Sequence, residues 1–443
     1  MLNAETIAAM ATPPGTGALA VLRISGSDAV GVLQRCTGNS RNPEPRRATL
    51  VRVLDAAGRV LDEAVATYFA GPASFTGEDV VELSCHGGML VSRRVLERVL
   101  TCGARPAEPG EFSRRAFENG RMDLTQAEAI MDIISAGSDL ALRAAQNQLQ
   151  GAIRKRVELI AEKLIAVTAH VEAYIDFPEE DITPDSMQQL TAGLDEAADG
   201  LRRLLETADE GRILREGIRT AIVGAPNVGK SSLLNMLLGY ERAIVSNTAG
   251  TTRDTIEETV NVGGLCLRLI DTAGLHHSED ELERAGMERS RRAGAEADLL
   301  LVVADAAAPR TELPLEENGS QRLYILNKAD LTEHPDWSDS PALRISCRTG
   351  QGRELLERAI EQLFLHRQTE TDSLAAINLR HRHALQNALE AVLRAREAIT
   401  EGISPEFVSV DLREALEGVG EITGRIDTED ILDHVFSTFC LGK

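Results

Sequence analysis

Apolar positions run along this chain in two rhythms. Between Leu124 and about Phe177, and again from Ser186 to Arg212, they recur every three or four residues, as in "RVELIAEKLIAVTAHVEAYI" (156–175), the period of an amphipathic helix. Gly137 and Gly151 punctuate the first stretch and predict more than one helix there. Residues 374–443 return to the helical period. Elsewhere the apolar residues form runs of strand length. "LAVLRIS" (19–25) and "DVVELSC" (79–85) come first. Then follow Glu257–Val262 and Leu265–Ile270 about a Gly263-Gly264 turn, "DLLLVVAD" (298–305), "RLYILNKAD" (322–330) and "ALRIS" (342–346). The pattern predicts an α+β N-terminal domain over 1–118 and an α-helical bundle from 119–214 with 368–443. An α/β domain over 215–367 is inserted between the helical arms, with the polar "HRQTETDS" (366–373) at its exit.

Composition narrows the classes. The chain has 443 residues, 43% hydrophobic but only 3% aromatic, so its cores must be built from Leu, Ile, Val and Ala. The formal charge of −22 argues against nucleic-acid binding through a bulk field; work on RNA needs a local basic patch or a basic partner. No apolar run reaches the length of a membrane span, and "MLNAETIAAM" lacks the marks of a signal peptide, so a cytoplasmic protein is expected. Six cysteines without C-x-x-C spacing read as reduced thiols.

The chemistry begins at "GAPNVGKS", with the spacing G-x-x-x-x-G-K-S: Gly224, Gly229, Lys230 and Ser231. An apolar strand precedes it and a helix follows. Glycines let backbone N–H groups wrap a phosphate, the lysine meets the β/γ-phosphates, and the serine hydroxyl serves Mg²⁺. Downstream, "LRLIDTAG" places Asp271 at a strand end within reach of Mg²⁺ and Gly274 where its N–H meets a γ-phosphate. In "NKAD" (327–330), the Asp330 carboxylate accepts from two adjacent donors that guanine has and adenine lacks. "SCR" (346–348) follows the last strand and supplies main-chain N–H groups behind the base. The inserted domain thus reads as a Ras-like P-loop GTPase.

Two departures bear on mechanism. The residue after D-x-x-G, a water-orienting glutamine in Ras-like switches, is Leu275, and only Arg253 stands as a candidate finger. Asn227 in the phosphate loop and the carbonyls and hydroxyls of "VSNTAGTTRD" (245–254), Thr251 and Thr252 among them, are neutral oxygen donors that suit a potassium ion. A side chain that merely stabilises the turn is the other reading of Asn227.

These residues carry a resemblance. "ETIAAMATPPGTGALAVLRISG", "FTGEDVVELSCHGG", "PGEFSRRAFENGRMDLTQAEA", "DFPEED", "GAPNVGKSSLLN", "AGTTRDT", "DTAGL", "NKAD" and the final "FCLGK" resemble the MnmE (TrmE) family of tRNA-modification GTPases, over all three regions of the chain. The resemblance implies potassium-dependent GTP hydrolysis with G domains pairing across their nucleotide faces. It places K⁺ on Asn227, Ser246, Thr248 and Thr251, and Mg²⁺ on Ser231 and Thr252. It extends the GTP-binding set to Val228, Ser232, Asn247, Ala249, Gly250, Thr272, Ala273, Asn327, Lys328, Ser346, Cys347 and Arg348. The water-orienting glutamate falls on Glu283, with Glu281 as its rival.

The resemblance further implies a constitutive homodimer whose N-terminal domain binds a one-carbon donor, 5-formyl- or methylene-tetrahydrofolate. Arg23, Glu82, Arg121 and Lys443 match that site. With an FAD-carrying partner (MnmG, or GidA), in a heterotetramer or larger complex, such a protein installs an aminomethyl or carboxymethylaminomethyl group on carbon 5 of the tRNA wobble uridine. Cys440 matches the family's supposed reactive thiol. From the residues alone, Arg23 and Glu82 read first as a structural ion pair and Cys440 as a free thiol. A GTP switch in ribosome assembly, without covalent chemistry, is the competing function; folate binding discriminates the two.

Overall fold

The computed structural model describes residues 5–176, 184–239, 258–270, 297–311, 319–364, 377–425, 429–440 and 442–443. The chain divides into two compact units, Met1–Met131 with Gly420–Lys443, and Asp132–Val419.

The first unit is built on a six-stranded sheet. Its strands are β1 (Ile7–Met10), β2 (Leu19–Ser25), β3 (Thr49–Leu54), β4 (Val60–Phe69), β5 (Val80–His86) and β6 (Arg105–Pro106), in the order β3-β4-β5-β2-β1-β6. Alternation sorts the side chains by face. Ala20, Leu22 and Ile24 of β2, with Val81, Leu83 and Cys85 of β5, bury one face against helices Ala29–Thr37 and Met89–Thr101 through Val32, Cys36, Val95 and Val99. On β2 the alternate position is Arg23, with Ala9 of β1 on one side of it and Glu82 of β5 on the other. Ile7 and Ala9 pack there with Phe112 of helix Glu111–Glu118 and with Phe75.

Helix Glu429–Ser437 joins this unit from far along the chain. Leu432, Val435, Phe436 and Phe439 form a cluster with Leu124, Ala127 and Phe117. Gly110, at φ +70°, passes so close that a Cβ would lie 2.4 Å from the Phe436 carbonyl oxygen.

One ion pair gives this unit a pH signature. Burial pushes the Glu111 carboxyl up, but hydrogen bonds from Arg105 and the Glu108 N–H outweigh it, and the group sits below the usual carboxylate range. A depressed carboxylate contributes stability above its unfolded pKa and loses it as pH falls through the folded value. Glu111→Gln should therefore flatten the acid limb of the stability curve below about pH 4.5 while lowering stability at neutral pH. Denaturant melts across that range check it.

The second unit holds helices Asp139–Leu149, Ala152–Asp176, Pro184–Glu206, Ala208–Glu216 and Leu379–Thr400, most of Pro405–Thr423, and a second sheet. The helical stretch expected over 186–212 breaks at Thr207. Its hydroxyl donates back to the Leu204 carbonyl (2.7 Å), but Thr168 and Thr191 make the same kind of bond within unbroken helices, so that bond does not by itself account for the break. Leu379–Thr400 packs along Pro184–Glu206, so the two arms share one bundle. His381 is buried there as the N3 residue of a capping box with Asn378, which gives it a structural role.

The second sheet comprises β7 (Ile218–Gly224), β8 (Glu258–Val262), β9 (Leu265–Leu269), β10 (Leu299–Asp305), β11 (Gln321–Asn327) and β12 (Leu343–Arg344), in the order β12-β11-β10-β7-β9-β8. All neighbours are parallel except β8 and β9, joined by the Gly263-Gly264 turn. Leu299 to Val303 are all buried, as expected of a strand covered on both faces. Among the described residues, no helix is long and apolar enough to cross a membrane.

Candidate functional site

The phosphate loop lies where β7 ends. Gly224 pairs in register with Val303 of β10, and a Cβ there would stand 2.4 Å from the Val303 carbonyl oxygen. Gly229, at φ +98°, starts helix Lys230–Leu238; a Cβ on it would lie 2.1 Å from Asn327 Nδ2. Gly224 is thus required by close approach to backbone, and Gly229 by its left-handed φ. The helix has no side-chain N-cap, so its first N–H groups remain available to an anion. Lys230 folds back over the loop, donating to the carbonyls of Gly224 (3.0 Å) and Ala225 (2.8 Å), and burial pushes its amine down from the ordinary lysine value. Ser231 follows in the first turn.

Asn327 ties two loops together. Its Nδ2 donates to the Val228 carbonyl (3.0 Å), and its Oδ1 accepts from the Cys347 N–H (3.1 Å). Lys328, at φ +64°, donates to the Asn227 carbonyl (3.1 Å) and pairs with Asp305. Asp330 accepts from the Ser346 hydroxyl (2.6 Å) and pairs with Arg348; first Ser346, then Arg348, hold its carboxyl below the usual range. Burial pushes the Cys347 thiol up to about 11, so this residue serves through its N–H rather than as a thiolate. The structure therefore brings Asn227, Val228, Gly229 and Lys230 beside Asn327 and Lys328, with Asp330, Ser346 and Arg348 grouped one loop away. Ser246, Asn247, Thr248, Ala249, Gly250, Thr251, Thr252, Arg253, Asp271, Thr272, Ala273, Gly274, Leu275, Glu281 and Glu283 lie outside the described residues.

A second polar cluster sits on the sheet of the first unit. Arg23 directs Nε (3.0 Å) and Nη2 (2.8 Å) onto Oε1 of Glu82. Its guanidinium lies 5.0 Å from the ring centre of Phe75 and 5.8 Å from that of Phe112. These two aromatic contacts were missed from the sequence, although both residues stand inside motifs that carried the resemblance. Arg23 Nη1 reaches the Gly442 carbonyl at 3.5 Å. Gly442, at φ +89°, would place a Cβ 2.3 Å from the Met10 carbonyl oxygen, so no other residue fits this docked turn. Lys443 is half-buried; burial, then the positive charge of Arg23, push its amine down. Arg23, Glu82 and Lys443 thus converge. Arg121 is exposed, its methylenes against Gly77, two residues along from Phe75. Cys440 is exposed, and its carbonyl accepts from the Lys443 N–H (3.3 Å).

Comparison with known proteins gives a family. The family model described as "GTP-binding protein TrmE N-terminus" matches residues 6–121, and that described as "MnmE helical domain" matches residues 124–440. The tRNA modification GTPase MnmE of Akkermansia muciniphila is 57% identical over 445 residues, covering 99% of each chain. Proteins of the same name from Opitutus terrae and Geobacter sulfurreducens are 45% and 44% identical, again with 99% of each chain covered. Among solved structures, the G domain of T. maritima FeoB aligns with 32% of this chain and 96% of its own at 25% identity, with a TM-score of 0.21. On the full-length matches and the two adjoining domain models, the chain belongs to the MnmE family.

Proposed function

We propose that the chain is a potassium-dependent GTP hydrolase that works in tRNA modification. With an FAD-carrying partner (MnmG/GidA), it acts on carbon 5 of the wobble uridine using a folate one-carbon donor. GTP hydrolysis and tRNA modification follow from family membership. The finer reading divides the chain into a folate-binding and dimerisation domain (1–118), a helical domain (119–214 with 368–443) and a G domain (215–367). It takes the protein to be a cytoplasmic homodimer.

The observation that carries the guanine assignment is the Asp330 carboxylate, held ionised by Ser346 and Arg348 one loop from Lys230. It would accept from the N1–H and 2-amino groups of the base. The Lys230 amine, bonded among the described residues to carbonyls of its own loop, is the group a β/γ-phosphate would engage. Mg²⁺ would be held by Ser231 with Thr252, and K⁺ by Asn227 with Ser246, Thr248 and Thr251. Bound there, the two cations supply positive charge against the phosphates. Of this donor set the described residues include Asn227 and Ser231; Asn227 holds φ +59°, and its carbonyl is engaged by Lys328. Among the described residues its side-chain amide makes no hydrogen bond that would stabilise the turn, which favours the ligand reading. Water orientation falls to Glu283.

In the first unit, Arg23 pairs with Glu82, and its guanidinium lies near the rings of Phe75 and Phe112 and beside the Lys443 amine. Both Arg23 donors converge on Oε1; among the described residues Glu82 Oε2 accepts no hydrogen bond, and it would accept from a heterocycle's N–H groups. This is the proposed tetrahydrofolate site, with Arg121 at its margin and Cys440 as the candidate thiol.

The test is steady-state GTP turnover in KCl and in NaCl at equal ionic strength, with Asn227→Ala alongside. Turnover should be high in K⁺, low in Na⁺, and insensitive to the exchange in the variant. Equal wild-type rates in the two salts would remove the cation from the mechanism.

A further inference from the structure

Asp305 stands outside the nucleotide motifs, yet the fold places it against the nucleotide loops. It is the last residue of β10 and pairs in register with Asn327, the last of β11. Its Oδ1 accepts from the Ala307 N–H (2.9 Å) and its Oδ2 from the Lys328 amine (2.5 Å). The same amine donates to the Asn227 carbonyl (3.1 Å). A carboxylate, an ammonium and a peptide oxygen therefore form a strut from the end of β10 to the phosphate loop.

The strut ends on a residue that needs holding. Among the described residues, the non-glycine positions with positive φ are Arg46, Asn227 and Lys328, so two of them are the two ends of one hydrogen bond. Left-handed backbone at a residue with a Cβ persists only where its surroundings hold it. At Asn227 the described partner of the carbonyl is Lys328, and at Val228 it is Asn327. Lysine places its amine poorly by itself, because its stem is flexible and its charge strongly hydrated. The Lys328 side chain is 36% exposed, so water competes for the amine; the Asp305 side chain is 18% exposed and fixed through Ala307. A partly exposed pair of this kind adds little to stability. What it does is aim the amine at Asn227 and neutralise it there.

We infer that Asp305 is a positioning residue for the potassium site, acting through Lys328 on Asn227, an inference that rests on the potassium reading given above. Without the carboxylate the ammonium loses its aim, and an uncompensated positive charge is left beside the residue that offers an oxygen to the cation. Potassium binding should suffer from both, while the transition state, once the cation is bound, is unchanged.

The experiment titrates steady-state GTP turnover of the full-length chain with KCl, balanced with NaCl to constant ionic strength. It compares wild type, Asp305→Asn, Asp305→Ser, Lys328→Met and the double variant Asp305→Asn/Lys328→Met. Asparagine and serine both keep an oxygen for the Ala307 N–H, so the two single variants at 305 should melt with wild type. The half-activating K⁺ concentration should rise about tenfold in each, with kcat at saturating K⁺ within about twofold of wild type. In the Lys328→Met background Asp305→Asn should not shift that concentration further, since no amine remains to be aimed. An unchanged half-activating concentration in the variants at 305, with wild type activated by K⁺, overturns the inference and leaves the potassium reading intact. So does a fall in kcat alone, the mark of a merely structural role, and so does unfolding of both variants. A K⁺ shift that persists without Lys328 also overturns it. Equal wild-type rates in K⁺ and Na⁺ remove the potassium reading, and this inference with it.

Discussion

Lys230→Ala is expected to reduce GTP turnover about a thousandfold, the scale of loss when one preorganised charge is removed from a transition state. The Lys230 amine is the cation that the phosphate loop itself contributes, and Ser231 offers only a neutral hydroxyl. That amine is half-buried and bonded to the carbonyls of Gly224 and Ala225. Its removal relieves a desolvated charge, so the resting fold should melt at nearly the same temperature. What should vanish is the upward shift of the melting temperature that GTP produces in wild type. A variant that keeps that shift and loses only turnover would confine Lys230 to the chemical step. One that keeps both would dismiss it from the site.

Asp330→Asn should exchange one base for another. The carboxylate accepts from two donors on guanine. An asparagine offers one acceptor and one donor, the complement of xanthine, which carries a carbonyl where guanine has its amino group. GTP affinity should fall by roughly 10⁴, with XTP gaining the position, because a buried polar mismatch is penalised far more than a lost apolar contact. Stability should change little, since the Arg348 side chain that pairs with Asp330 is itself exposed. Competition between GTP and XTP for the variant measures the exchange directly. Failure of XTP to compete would show that Asp330 does not face the base.

How legible this was depends on how local the physics is. Gly224 to Ser231 could be read from spacing, because strand end, loop and helix start are contiguous and each glycine meets its own constraint. Asn327 and Asp330 were readable only in company with that loop; their bonds to Val228 and Ser346 cross distances that spacing does not encode. Phe75 and Phe112 were not readable as partners of Arg23. Their meeting depends on β-sheet register and on a helix laid across the sheet. The strands β3 and β4 were missed because they bury few of their residues, Val53 in the first and Ala64 and Ala66 in the second. The break at Thr207 was missed because the apolar period runs through it. From the residues alone, Arg23 and Glu82 could not be told from a structural pair. The convergence of Lys443 and two aromatic rings on them is what the fold adds.

The Gly442 turn, seated on Met10 and Arg23, has a consequence for synthesis. Arg23 and the carbonyl it touches are 419 positions apart, and a ribosome delivers them in that order. The sheet bearing Arg23 and Glu82 can form early, but its polar corner must wait, open to solvent, until all intervening residues have been translated and helix Glu429–Ser437 has docked. A chain cut short by a premature stop after the nucleotide-binding segments could still fold those segments and bind GTP while lacking this corner. Such a product would carry the nucleotide-binding segments without the Arg23–Gly442 contact, so this polar corner depends on residues made long after the sheet that bears it.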